Sequence, residues 1–243
     1  MTDADTPGPA ERFAAARAAQ KHPETAAFAA MQRFELDPFQ IEGCHALEDG
    51  RSVLVAAPTG AGKTIVGEFA VHLAMTGTRD KVFYTTPIKA LSNQKFHELC
   101  EVYGADQVGL LTGDTNINGN GRIVVMTTEV LRNMLYADSP ALAELRFVIM
   151  DEVHYLADRF RGAVWEEVLI HLPSSVKLVS LSATVSNAEE FGDWLQEVRG
   201  DTAVVVSEIR PVPLDQHVLV RGDLVPLFDA RASGSVNRDL LRM

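Results

Sequence analysis

The sequence predicts a doubly wound α/β domain on a mostly parallel sheet, preceded by a short N-terminal extension. Two observations predict it. Short apolar runs alternate with amphipathic stretches of helical length, the pattern of strands joined by crossover helices. The first run, Ser52–Ala56, also opens directly into a glycine-rich loop, and the periodic residues Ile65, Val66, Phe69, Ala70 and Leu73 then mark a helix ending near Gly77.

Taken in order, residues 1–33 hold Thr6-Pro-Gly-Pro9, then an alanine-rich stretch around Phe13 that Pro23 breaks. Alanine favours helix but buries little surface, so this part is expected to be a flexible extension with marginal helix. The main domain is expected over 34–209. Its strands fall at Ser52–Ala56, Lys81–Thr86, 107–111, 122–127, 146–150, 176–181 and 203–206. Helical patterns lie between most of them, at Pro38–Glu48, 62–75, 88–103, 129–136, 164–171 and 188–198. Residues 114–121 carry two Asn-Gly turn signals and are expected to form a short loop or hairpin between adjacent strands. Arg210-Pro-Val-Pro213 ends the domain, because two prolines this close prevent both helix and central strand. Residues 210–243 are then a linker and the start of a truncated further domain, with 214–220 as one extended segment.

Composition excludes several classes. At 47% hydrophobic over 243 residues, the chain can bury a core and is far from disordered compositions. No apolar run approaches the ~18 residues of a membrane span, and no charged leader precedes an apolar stretch. Cys44 and Cys100 lie far apart without metal-ligand spacing, and read as buried thiols of a reducing cytoplasm. The net charge of −11 argues against a broad basic surface, so any nucleic-acid contact has to rest on local motifs.

The glycine-rich loop reads Ala57-Pro58-Thr59-Gly60-Ala61-Gly62-Lys63-Thr64. Strand, loop and helix in this order make a P-loop, in which loop amides and the helix N-terminus aim positive partial charge at a phosphate. Ala57 replaces the template's first glycine. Lys63 would reach the terminal phosphates of ATP, and Thr64 would place its hydroxyl on Mg²⁺. The acidic partner follows another apolar run: after Phe147-Val-Ile-Met150 comes Asp151-Glu152-Val153-His154. Asp151 can hold the Mg²⁺ bridging the β- and γ-phosphates, and Glu152 can accept a proton from an attacking water. Two acids here also suit a plain helix N-terminus. His154 has no second histidine beside it and reads as a hydrogen-bonding link to a neighbouring strand end. Ser182-Ala183-Thr184 is the candidate partner, and Asn187 with Glu190 caps the helix that follows.

With these residues in place, the chain resembles the first RecA-like domain of a superfamily 2 helicase, and His154 points to the DExH group. Asp158-Arg-Phe-Arg-Gly162-Ala-Val-Trp165-Glu-Glu167, Phe191-Gly-Asp-Trp194-Leu and Arg210-Pro-Val-Pro213-Leu are similar to stretches of the Ski/Mtr-type RNA helicases that feed RNA-decay machinery. The likeness runs from about Phe34 to Leu214 and suits an acidic, actinobacterial-style member. It implies that Gln40 hydrogen-bonds the adenine edge, with Phe34 as a stacking face; an ordinary turn into a helix explains the same residues. It implies a coupling role for His154, Ser182 and Thr184. It further implies nucleic-acid contacts in Thr86-Pro87-Ile-Lys89-Ala-Leu-Ser-Asn93, in Thr112-Gly113-Asp114 and in Thr127-Thr128-Glu129, with Arg132, Arg159 and Arg161 as cationic helpers. Three such loops would line one sheet edge.

A motor of this kind closes two RecA-like domains over ATP, the second supplying arginines. No Gln-x-x-Gly-Arg-x-Gly-Arg pattern follows Thr184. The chain is therefore expected to be a fragment that binds ATP and Mg²⁺ but hydrolyses ATP slowly. The leading reading is an ATP-dependent RNA helicase acting on single-stranded RNA, its 3′-to-5′ polarity inherited from the resemblance. A DNA helicase of related type and a non-hydrolysing, nucleotide-gated RNA clamp are the rivals. Asp151 and Glu152 weigh against the clamp, and the absence of a lid or substrate-arginine segment weighs against a metabolic P-loop kinase.

Overall fold

Every apolar run becomes a strand: β1 (Ser52–Ala56), β2 (Lys81–Thr86), β3 (Val108–Leu111), β5 (Ile123–Thr127), β6 (Leu145–Met150), β7 (Lys177–Ser182) and β8 (Thr202–Val206). The computed structural model of the chain describes residues 17, 20–183, 188–212, 214–228, 235–238 and 240. Among them, eight strands form one sheet in the order β4-β3-β5-β2-β6-β7-β1-β8. All neighbours are parallel except β4 (Asn116–Ile117), which runs antiparallel to β3. The strands are near-continuous apolar runs because both faces are covered. Val53, Val55, Tyr84 and Ile149 point to one layer; Leu54, Phe83, Val148 and Met150 point to the other.

The helices are α1 (Pro23–Met31), α2 (Pro38–Glu48), α3 (Thr64–Thr76), α4 (Lys89–Tyr103), α5 (Thr128–Tyr136), α6 (Gly162–His171) and α7 (Ala188–Arg199). The first four share a core with one sheet face, and the last three with the other. From β1 the chain steps past two strand positions to β2, goes on to the β4 edge, then returns through β5, β6 and β7 to β8. This gathers the C-terminal ends of all the parallel strands on one edge, where open α/β sheets bind ligands.

Residues 23–31 correct the expected flexible extension. Phe28 of α1 is 4% exposed and packs edge-on against Phe69, ring centroids 5.3 Å apart. The Glu48 carboxylate accepts the Glu24 and Thr25 amides at 2.9 and 2.8 Å, satisfying donors that a helix start leaves open. One aromatic anchor and one long-range cap fix a helix that alanine content alone would leave marginal. Residues 1–16, 18 and 19 lie outside the described residues.

Residues 114–121 turn back as a hairpin, with Leu110 opposite Ile117 and Asn118 at φ 41°. Residues 210–243 form a second compact unit. Within segment 214–220, β9 (His217–Val220) is extended and pairs antiparallel with β10 (Asp223–Pro226) across Arg221-Gly222, both at positive φ as a two-residue hairpin turn requires. No helix among the described residues is long and apolar enough to cross a membrane. Burial pushes the Cys44 thiol up to about 12, which makes it inert.

Candidate functional site

Loop 57–63 crosses the sheet edge between β1 and α3. The Ala61 amide donates to the Pro58 carbonyl at 3.1 Å and the Ile65 amide to the Gly62 carbonyl at 3.2 Å, winding the loop into the helix. Gly60 and Gly62 take φ of 85° and 81°, a region open mainly to glycine. A Cβ on Gly62 would stand 2.7 Å from Gln40 Nε2, whereas a Cβ on Gly60 would meet nothing within 4 Å. The loop is therefore packed at its base and open at its tip. Lys63 is 6% exposed, and its ammonium makes no hydrogen bond or ion pair among the described residues. A buried cation of this kind fits an anion, and terminal phosphates meet that need.

Asp151 continues the β6 ladder, its amide donating to the Thr85 carbonyl at 3.0 Å. With Thr64 it lines a cavity of about 340 Å³, the oxygen-donor pair a hard divalent cation takes. Burial raises the Asp151 carboxyl above its ordinary range, opposed by a hydrogen bond from Tyr84 and by the Lys95 and Lys63 charges. Sequence reasoning missed Tyr84; the available signal was a phenol inside the buried run Val82-Phe-Tyr84-Thr. Glu152 has φ 59°, left-handed backbone that costs a non-glycine residue about 1–3 kcal/mol and concentrates at functional positions.

His154 Nδ1 lies 3.3 Å from Glu152 Oε2 and 3.5 Å from the Ala183 amide. Protonated, that nitrogen donates to Glu152; bare, it accepts from Ala183. Ser182 receives the Ala57 amide on its carbonyl at 3.2 Å, joining the P-loop to β7. Its side chain is 1% exposed and its hydroxyl has no partner among the described residues. Thr184 and Asn187 lie outside the described residues.

The adenine candidates differ from each other. Phe34 is 53% exposed on an open groove shared with Arg33, Glu35 and Ile41. Gln40 is buried, accepting the Asp37 amide at 2.8 Å and donating to the Gly62 carbonyl at 3.0 Å. It closes the start of α2 like a capping box and braces the P-loop, leaving one lone pair and one N–H for a base.

The ends of β2, β3 and β5 surround a second cavity of about 420 Å³, lined by Pro87, Ile88, Lys89, Gly113, Thr127 and Arg161, with Glu129. Arg161 donates to the Pro87 carbonyl at 3.0 Å. Lys89 Nζ sits 2.8 Å from Asp114 Oδ1, which also accepts from Thr112 Oγ1 at 2.9 Å, and these bonds hold the Asp114 carboxyl below its usual range. Asn93 and Arg159 are exposed. Arg132 does not line the cavity; it faces Glu167 at 3.8 Å. Thr128, at the first turn of α5, is 1% exposed and does not line the cavity.

A parallel sheet whose first strand feeds a glycine loop, with an acid pair two strands away, defines a P-loop nucleotide-binding domain. The chain belongs to the DEAD/DEAH box helicase family, whose sequence model matches residues 37–191. It is 66% identical over 220 residues to the probable helicase HelY of Mycobacterium tuberculosis, covering 88% of this chain and 24% of that protein. It is 47% identical to a chloroplastic DExH-box ATP-dependent RNA helicase of Arabidopsis thaliana, covering 85% of this chain and 18% of the relative. Among solved structures, the helicase Lhr of Mycobacterium smegmatis bound to ssDNA and AMP-PNP matches 76% of this chain and 27% of its own, with 28% identity and a TM-score of 0.63. The chain thus spans about a quarter or less of the length of these relatives.

Proposed function

We propose that the chain is the ATP-binding portion, 34–209 extended at its N-terminus by α1, of an ATP-dependent RNA helicase. The observation that carries this is the buried Lys63, without a hydrogen bond or ion pair among the described residues, on a strand-end edge shared with Asp151 and Glu152. Lys63 and the first amides of α3 hold phosphate oxygens; Thr64 and Asp151 hold Mg²⁺. Mg²⁺, when bound, neutralises charge on the β- and γ-phosphates. Glu152 takes the proton of the attacking water on its carboxylate, and His154 Nδ1 can pair with either that carboxylate or the Ala183 amide. Phe34 stacks on adenine while Gln40 braces the loop beneath it.

Pro87, Lys89, Gly113, Thr127 and Arg161 contact the backbone of single-stranded RNA, with Asn93, Thr112 and Arg132 at the margin and Ser182 with Thr184 coupling the two sites. RNA is favoured because the Arabidopsis relative is an RNA helicase at 47% identity. The ssDNA held by the Lhr helicase supports DNA as the second reading. The polarity is 3′-to-5′, the setting is cytoplasmic, and the partners are RNA-decay factors. Transition-state arginines, worth about 10³ to 10⁵ in rate, come from a second RecA-like domain, so these residues alone turn ATP over slowly. Steady-state ATP hydrolysis by the full-length protein with single-stranded RNA, single-stranded DNA or neither tests the proposal. Stimulation by RNA alone supports it, equal stimulation by DNA favours the second reading, and no stimulation overturns both.

A further inference from the structure

Tyr84 is fully buried in the middle of the sheet, in a strand whose neighbours are apolar or threonine. Its single polar atom is committed: the phenol donates to Asp151 Oδ2 at 3.0 Å. Its ring lies under Lys95 of α4, whose ammonium is 5.4 Å from the centroid. Lys95 is itself fixed, 2.6 Å from Glu98 on its own helix and 3.5 Å from Glu68 on α3. Lys95, Glu68, Glu98 and Thr64 wall the cavity of about 340 Å³ at Asp151. A phenol is rarely retained in a closed sheet unless its hydroxyl finds a partner, and the partner here is the carboxylate at the end of the adjacent strand.

We propose that Tyr84 is a positioning residue for the metal-holding carboxylate, and that Lys95, gripped between Glu68 and Glu98, locks the phenol from the α4 side. The phenol occupies Oδ2 and fixes the carboxylate torsion, leaving Oδ1 as the oxygen presented to a cation. The second part follows from where α4 runs. It starts at Lys89, on the strand-end cavity that Arg161 also lines, and reaches Lys95 less than two turns later. A rigid helix therefore connects the candidate nucleic-acid edge to the wall of the metal site. This inference rests on the ATP–Mg²⁺ reading of the site.

The test is equilibrium binding of a fluorescent, non-hydrolysable ATP analogue to the chain, titrated with Mg²⁺, for wild type and Tyr84→Phe. The variant removes one oxygen and keeps the ring. Outer-shell partners of a metal site typically contribute ~10- to 100-fold to metal affinity, so the Mg²⁺ midpoint is expected to rise about tenfold while metal-free nucleotide affinity stays within twofold. A midpoint unchanged within twofold overturns the role of Tyr84 and leaves the P-loop reading standing. A wild-type chain that binds the analogue with no dependence on Mg²⁺ overturns both. Should Tyr84→Phe fail to fold by circular dichroism, Lys95→Met is the second variant: a midpoint moved the same way supports the inference, and an unmoved one overturns it.

Discussion

The proposed nucleotide edge and the proposed nucleic-acid edge sit on the same row of strand ends but are built in opposite ways. At the ends of β1 and β6, the acids are half-buried and Asp151 is already oriented by backbone and by Tyr84, while the principal cation, Lys63, is buried and makes no hydrogen bond or ion pair among the described residues. At the ends of β2, β3 and β5, the cations are exposed or half-buried and already engaged: Lys89 with Asp114, Arg161 with the Pro87 carbonyl, Arg132 with Glu167. The first edge is preorganised and waits for one anion. The second has its charges internally quenched, which would suit the proposed reversible grip on a polyanion and is consistent with a net charge of −11.

Variants can break this contrast. The largest effect is expected from Glu152→Gln in the full-length protein: nucleotide binding is kept and hydrolysis falls on the order of 100-fold or more, the range for a lost general base. A variant retaining most of its rate would move the water to another group. Next comes Lys63→Ala, where loss of a charge-assisted bond of roughly 1.5–3 kcal/mol lowers affinity about 10- to 100-fold; unchanged calorimetric binding would sink the P-loop assignment.

At the opposite edge, effects should be smaller and of both signs. Lys89→Ala is expected to weaken single-stranded nucleic-acid binding a few-fold and reduce the salt slope by about 1. Asp114→Ala, which releases Lys89, should strengthen it. Anisotropy titrations at several salt concentrations decide this, and two changes in the same direction would remove the quenching idea.

The smallest effect concerns stability. Burial raises the Asp151 carboxyl, so the ionised form opposes folding above that raised pKa, and the cost fades as pH falls through it toward the ordinary 3.8. Asp151→Asn should therefore leave the melting temperature of the nucleotide-free chain unchanged or about 2 °C higher at neutral pH, the difference shrinking in acid. A clearly lower melting temperature would mean that the Tyr84 bond and the lysine charges outweigh desolvation.

The same contrast explains what the sequence made legible. The P-loop, the acid pair and the alternation of strands and helices are local patterns, each readable within about ten residues. Tyr84 and Asp151 are 67 positions apart, and Glu48 caps α1 from 23 and 24 positions away. No periodicity reports such pairings. Thr127 and Thr128 are neighbours in sequence, yet only Thr127 lines the cavity, a division at the strand-to-helix turn that no local pattern reports. For Gln40 the sequence leaves adenine reading and an ordinary turn into a helix both open, and the structure engages its amide at both ends.

The sheet order also sets a schedule for biosynthesis. β1 leads the sheet in sequence, yet its neighbours are β7 and β8. The Ser52 hydroxyl accepts the Leu178 amide from 126 positions downstream, and Val55 stands opposite Leu181 and Val205. As the chain leaves a ribosome at about 5–20 residues per second, the strand beneath the phosphate loop stays without partners for on the order of ten seconds. Capacity to hold a nucleotide is thus among the last properties this domain acquires, and Val53-Leu-Val55 is the segment most exposed to a chaperone or to aggregation in the interval.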